Sequence, residues 1–276
     1  MLARNRKGWA DYDPAKIPTK THMPHVEYWL TTLSLQARVL DVGCGTGGAS
    51  RLLLERGCLV VGIDINRAAI DGLSREFCDM REAEFHARDI ANRSGFKLGR
   101  ARFDAAVCQL VASVVGDASD RVQLLKNIRN ALLPKGKLSI SFSGLSDDIN
   151  PSYAELYVTD LPHTGEYGTY LSRDESGRVL YQTHHFAAEE IQRFLQDQGF
   201  REIRVEEKIE ASSRRPDQRA RFYYVTCERN DPDNNILPKP TKRMGSLPRA
   251  WQKLRQLRLF RSPNCLYLWL PPRALA

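Results

Sequence analysis

Residues 39–65 read VLDVGCGTGGASRLLLERGCLVVGIDI. An apolar strand runs into a glycine-rich turn, then a helix, then a second apolar strand that ends on a carboxylate. Gly43, Gly45, Gly47 and Gly48 let the backbone approach a ligand closely. The helix behind them aims its N-terminus at whatever sits there. Asp64 stands 21 residues beyond Gly43, at the tip of the second strand. A carboxylate there can accept hydrogen bonds from both hydroxyls of a ribose. The stretch therefore implies a nucleoside-bearing cofactor.

Two cofactors compete for the turn. As Gly43-x-Gly45-x-x-Gly48 it satisfies the dinucleotide pattern, which is weak on its own. Asp41, two residues before the first glycine, would face a pyrophosphate with like charge. S-adenosylmethionine (SAM) has no phosphate and carries a sulfonium and an ammonium, which Asp41 suits. At about 4 Å and an effective dielectric near 20, that choice of sign is worth roughly 4 kcal/mol.

At these residues the sequence resembles the class I SAM-dependent methyltransferases. The matching segments are Asp41-Val-Gly43-Cys-Gly45-Thr46-Gly47 and Val60-Val-Gly-Ile-Asp64-Ile65, followed by Ala87-Arg88-Asp89-Ile90. Phe103-Asp-Ala-Ala-Val-Cys108-Gln109 looks like the family's fourth strand, and Leu132-Leu-Pro134-Lys-Gly136-Lys-Leu like the turn into its fifth. The five segments keep family order and spacing over residues 37–143. The resemblance implies that Gly43, Gly45 and Gly47, with Thr46 between them, line the methionine and ribose side. Asp64 then binds the ribose hydroxyls and Ile65 lies against the adenine. Asp89 receives the adenine amino group with Ile90 beside the ring, and Cys108 and Gln109 lie near the methionine ammonium.

The coarse pattern agrees. Strands are expected near 37–42, 58–64, 83–87, 103–109 and 137–143, with helices near 47–56, 66–80 and 119–133. Such alternation argues a doubly wound α/β fold, a mostly parallel sheet covered on both faces. The fourth strand reads as running on through CQLVASVV. After the fifth strand the pattern breaks: residues 144–186 read without a long helix, as an insert ending in a hairpin over 168–186. A helix at 187–198 stops at Gly199, and two long strands follow near 200–210 and 219–228. The family closes its seven-stranded sheet with such a pair, the last strand antiparallel. The expected organisation is an arm and helix over 1–36, a SAM-binding domain over 37–230 with 144–186 as substrate or lid insert, and a linker and basic extension over 231–276.

The insert holds Tyr153, Tyr157, Tyr167, Tyr170 and Tyr181, half of the chain's tyrosines, and His163, His184 and His185, half of its histidines. An aromatic and imidazole lining suits a small organic acceptor. His163, in a stretch read as flexible, is the first candidate for a base and His184 the second. His185 should face away, because strand neighbours alternate sides. No Asn-Pro-Pro-Tyr or Asp-Pro-Pro-Tyr tetrapeptide follows the fourth strand, and no Pro-Cys pair occurs. These absences disfavour exocyclic-amine and cytosine C5 methylation. No metal site is expected: six scattered cysteines form no CxxC pair, and acids paired for magnesium are missing.

The chain has 276 residues, 42% of them hydrophobic, with net charge +8. No apolar run reaches the roughly 20 residues of a membrane span, and the first residues lack a signal-peptide core. A cytoplasmic protein with reduced thiols is the expectation. From Asn235 to Ala276 there are nine Lys or Arg and no acid, which leaves 32 basic against 33 acidic residues elsewhere. Residues 247–260 fit a short basic helix, and LYLWLPP follows at 266–272. Three readings compete for this tail: docking on its own domain or a homodimer partner, resting on an anionic membrane surface, or touching a nucleic-acid backbone. The expected function is methyl transfer from SAM to an O, N or C atom of a small-molecule acceptor. The alternatives are an RNA methyltransferase using the tail, and a SAM-fold binding protein without transfer activity.

Overall fold

The computed structural model describes residues 7–17, 23–98, 102–174, 176–212 and 217–230. Five strands, β1 (Arg38–Val42), β2 (Leu59–Asp64), β3 (Ala83–Ala87), β4 (Phe103–Gln109) and β5 (Leu132–Ser143), are parallel. β8 (Phe200–Ala211) and β9 (Arg219–Arg229) complete a seven-stranded sheet in the order β3-β2-β1-β4-β5-β9-β8. β9 is antiparallel to both of its neighbours. A separate two-stranded sheet pairs β6 (Thr169–Arg173) with β7 (Val179–His184). The helices are α1 (Met23–Leu30), α2 (Gly48–Glu55), α3 (Arg67–Glu76), α4 (Val111–Val114), α5 (Ala118–Ala131), α6 (Pro151–Thr164) and α7 (Ala188–Asp197).

The two faces of the sheet each bury a core, which is why the central strands read as continuous apolar runs. Leu40, Val42, Val61, Ile63, Ala106 and Cys108 face one layer with Leu124, Leu125 and Ile128 of α5. Val39, Val60, Ala105 and Val107 face the other, with Val26, Trp29 and Leu30 of α1 and Leu53 of α2. Strand order reverses between β1 and β4, so the C-terminal ends of those strands open a crevice where ligands bind in such sheets. Among the described residues no helix is long and apolar enough to cross a membrane.

Two expectations are corrected. The fourth strand does not run on: it stops at Gln109, Leu110 takes a left-handed conformation (φ 59°), and Val111–Val114 turn into α4. Residues 144–186 do contain a long helix. Asn150 caps α6 by accepting the Ser152 N–H, Pro151 fills the first turn, and Gly165 ends it at φ 71°. These are ordinary start and stop residues for a helix. Tyr153, Tyr157 and Asp160 fall on its buried face at helical spacing. Pro162 is tolerated near the end because the helix finishes two residues later, at Thr164. The hairpin rejoins the body beside β5, where Phe186 N–H donates to Ser143 O and Leu145 N–H to Phe186 O.

In the N-terminal arm, residues 7–10 are helical and Pro14–Lys16 form a 3-10 turn capped by Asp13. The extension from 231 onward, with the three readings of its charge and of the helix at 247–260, lies outside the described residues.

Candidate functional site

The glycine turn is fixed from several sides. Gly43 and Cys44 N–H both donate to Ile63 O, and Gly45 N–H donates to Asp64 Oδ2 at 2.9 Å. Gly43 sits at φ 70°, and a Cβ there would lie 2.3 Å from Val111 Cγ2. Arg51 bonds Thr46 O and is held in turn by Glu76. Gly47 (φ 87°) precedes the first residue of α2 and packs toward Leu73. Gly43, Gly45, Thr46 and Gly48 line a cavity of about 1900 Å³; Gly47 sits behind that wall and shapes the turn.

Asp41 and Asp64 face this cavity. Asp41 is 3% exposed and accepts Ser50 Oγ–H at 2.6 Å. Burial pushes its carboxyl up to about 7, against the opposing pull of Ser50 and with a smaller push from Asp64. Burial also raises Asp64, although its oxygens accept the Asn66 and Gly45 N–H groups. The strand ends thus hold two desolvated carboxyls facing one cavity, a setting that favours a cation. Ile65, Asp89 and Ile90 line the same wall, with Asp89 Oδ1 accepting the Ala91 N–H.

The two expected residues of β4 separate. Cys108 is fully buried in the core and does not reach the cavity, because its side chain points with Ala106 into the helical layer. Burial raises its thiol far above the ordinary range. Gln109 ends the strand on the cavity wall, and both its amide atoms are buried with no hydrogen-bond partner among the described residues. An unpaired buried amide costs stability unless a ligand satisfies it.

The histidines exchange places relative to expectation. His163 is exposed on the last turn of α6 and does not line the cavity. His184 is buried off the cavity wall, with Nδ1 2.7 Å from Thr169 Oγ1 and Nε2 2.9 Å from Glu190 Oε1. Glu166, His184 and Glu190 come close enough to be considered for a metal, but Arg121 stands 2.5 Å from Glu166 as a fixed cation within that group. His185 lines the cavity. Its Nδ1 is 2.6 Å from Tyr157 Oη, its Nε2 is 3.4 Å from Tyr170 Oη, and the Tyr153 ring lies 4.9 Å away. His184 and His185 part company, and it is His185, one residue past the end of β7, that faces the cavity. α7 supplies Glu190 on the opposite side, and nothing local to the hairpin announces that partner.

A methyltransferase-domain family model matches residues 40–138. The malonyl-[acyl-carrier protein] O-methyltransferase of Enterobacter lignolyticus is 29% identical over 146 residues, 52% of this chain and 53% of that protein. A ubiquinone biosynthesis O-methyltransferase of Histophilus somni is 25% identical over 49% of this chain and 58% of its own length. A solved SAM-dependent methyltransferase from Methanosarcina mazei superposes with a TM-score of 0.64 at 26% identity, covering 74% of this chain and 97% of that one. The chain matches a methyltransferase domain over residues 40–138 and has the class I SAM-dependent methyltransferase fold. It spans about half the length of the curated relatives it matches.

The methyltransferase domain also draws on residues that the sequence reading passed over. Trp9, Tyr12, Lys16 and Ile17 of the N-terminal segment also line the cavity. On the far side the wall is formed by Tyr153, Tyr170, Tyr181, His185, Ser212 and Phe222. Asn66, cap of α3, donates from Nδ2 to Trp9 O (3.1 Å) and Tyr12 O (2.7 Å). The only signal in the sequence was a Trp and a Tyr in an otherwise polar segment, which does not say where they pack.

Proposed function

We propose that the methyltransferase domain binds SAM along the ends of β1, β2 and β4. It transfers the methyl group to a small-molecule acceptor held by the tyrosine and histidine wall. One observation carries this reading: one cavity is lined by Asp64 and Asp89 at one end, Gln109 in the middle, and Tyr170 and His185 at the other. Donor and acceptor can therefore meet in one cavity.

The residues fit the cofactor. Asp64 keeps lone pairs for ribose hydroxyls beyond those given to Gly45 and Asn66. Asp89 accepts the adenine amino group between Ile65 and Ile90. Asp41 and the unpartnered amide of Gln109 receive the charged methionine end. When bound, SAM supplies a methyl carbon already joined to a good leaving group. The chain's task is to hold the acceptor atom close and aligned, a contribution that reaches about 7–11 kcal/mol in well-oriented systems. A base is needed only where the acceptor must lose a proton, and His185 is the imidazole beside it. Free, buried Cys44, Cys58, Cys108 and Cys227 support a cytoplasmic setting.

Incubation with SAM and a small-molecule cell extract should yield S-adenosylhomocysteine (SAH). Transfer confined to an RNA fraction would reverse the choice of acceptor. SAM binding with no SAH from either fraction would leave a binding protein.

A further inference from the structure

The N-terminal segment touches both halves of the cavity. Asn66 is 1% exposed, and its N–H and side chain make four hydrogen bonds at once. Its N–H donates to Asp64 Oδ1, its Oδ1 accepts the Ala69 N–H at the start of α3, and its two amide protons go to the carbonyls of Trp9 and Tyr12. One residue thus joins the carboxylate read as the ribose ligand, through its backbone N–H, to residues 9–12, through its side-chain amide. The other side of the segment rests on the hairpin. The Trp9 ring lies 4.6 Å from that of Tyr181, and a Cβ on Gly8 would stand 2.3 Å from Leu180 O. At its far end Ile17 covers Gly45, within 3.0 Å of where a Cβ would be.

Every residue from 7 to 17 is exposed or half-buried. A segment held by a few polar and ring contacts, without buried apolar anchors, belongs to the part of a fold that opens most easily. The Trp9 indole N–H, in the cavity wall, has no hydrogen-bond partner among the described residues.

We infer that residues 7–17 are a strap that closes when the cofactor binds and so completes the acceptor wall. Asn66 is the positioning residue that ties closure to Asp64. This rests on the SAM reading above. A ligand held by Asp64 fixes the carboxylate on which the Asn66 N–H depends, and the strap then brings Trp9 against Tyr181. The acceptor meets a finished wall, including an indole donor, only after the cofactor is in place. Because coupling is reciprocal, acceptor binding tightens the hold on the cofactor by the same factor.

Hydrogen exchange on the full chain, with and without SAH, tests this. The reporters are the amides of Asp11, Tyr12, Lys16 and Ile17, each bonded within the strap. In the wild type, saturating SAH should slow them by about tenfold or more, the size of a typical coupling. In Asn66→Ser, whose hydroxyl still caps α3, SAH should still bind while most of that slowing disappears. If Asn66→Ser does not fold, Trp9→Leu keeps the backbone carbonyl for Asn66 and should lose part of the slowing. SAH binding that leaves strap exchange unchanged, or full slowing in the variants, would overturn the strap alone. Failure of the wild type to bind SAH would overturn the cofactor reading and the strap with it.

Discussion

Asp41 is the residue whose charge the account depends on most. Its carboxyl is pushed up to about 7 from an ordinary value of 3.8, first by burial. Between those two values the native chain keeps a proton that the unfolded chain has released. The stabilising contribution of this proton is present below the unfolded value and is lost as pH rises through about 7. Asp41→Asn, which still accepts from Ser50, should therefore gain stability relative to wild type between pH 5 and pH 8. Denaturant midpoints at the two pH values check this, and a constant difference would contradict it. Ligand binding should run the other way. A bound cation favours the ionised form, so SAM affinity should rise with pH through about 7 in the wild type and stay flat in Asp41→Asn. Calorimetry across that range would show it. The acid itself was legible in the sequence, because a lone carboxylate inside an apolar strand stands out. Its raised value was not, because that comes from the neighbours that desolvate it.

At the scale of elements, β1, its turn and α2 act as one unit, and Gly43 is where they leave no room. An alanine there must hold φ 70° with its Cβ 2.3 Å from Val111. The backbone part alone costs about 1–2 kcal/mol, so Gly43→Ala should lower the melting temperature and weaken SAM binding together. An unchanged thermal midpoint would mean that α4 yields easily. Tyr157 plays the same part on α6. Its oxygen accepts the Ser146 N–H and bonds His185 Nδ1. Tyr157→Phe leaves both buried partners short, at about 1–3 kcal/mol by the usual cost of an unsatisfied group. Urea titration would measure that loss, and a change within error would show that the cage repacks. The strands and first helices could be placed from sequence because glycines and apolar runs punctuate them locally. α6 and the facing of His184 and His185 could not. They depend on Asp160 accepting Leu171 N–H and pairing with Arg173, and on Glu190 meeting His184. All of these are tertiary partners of a segment whose own composition is mixed.

For the whole molecule, the parallel sheet gathers residues from 41 to 109 at one edge, and the hairpin, α6 and the N-terminal segment enclose what lies beyond. The family resemblance covers the first of these parts, and so the cofactor half was readable. The acceptor half is built by segments that carry no shared motif, and its shape emerges only when they pack. The central claim, that the carboxylate at the tip of β2 holds the ribose of SAM, is tested most directly by calorimetric titration of SAM into wild type and Asp64→Ala. Far-ultraviolet dichroism would verify that both are folded. Two hydrogen bonds to a charged acceptor, at about 1.5–3 kcal/mol each, predict on the order of a hundredfold or greater loss of affinity in the variant. Equal affinity in the two folded proteins would contradict the account.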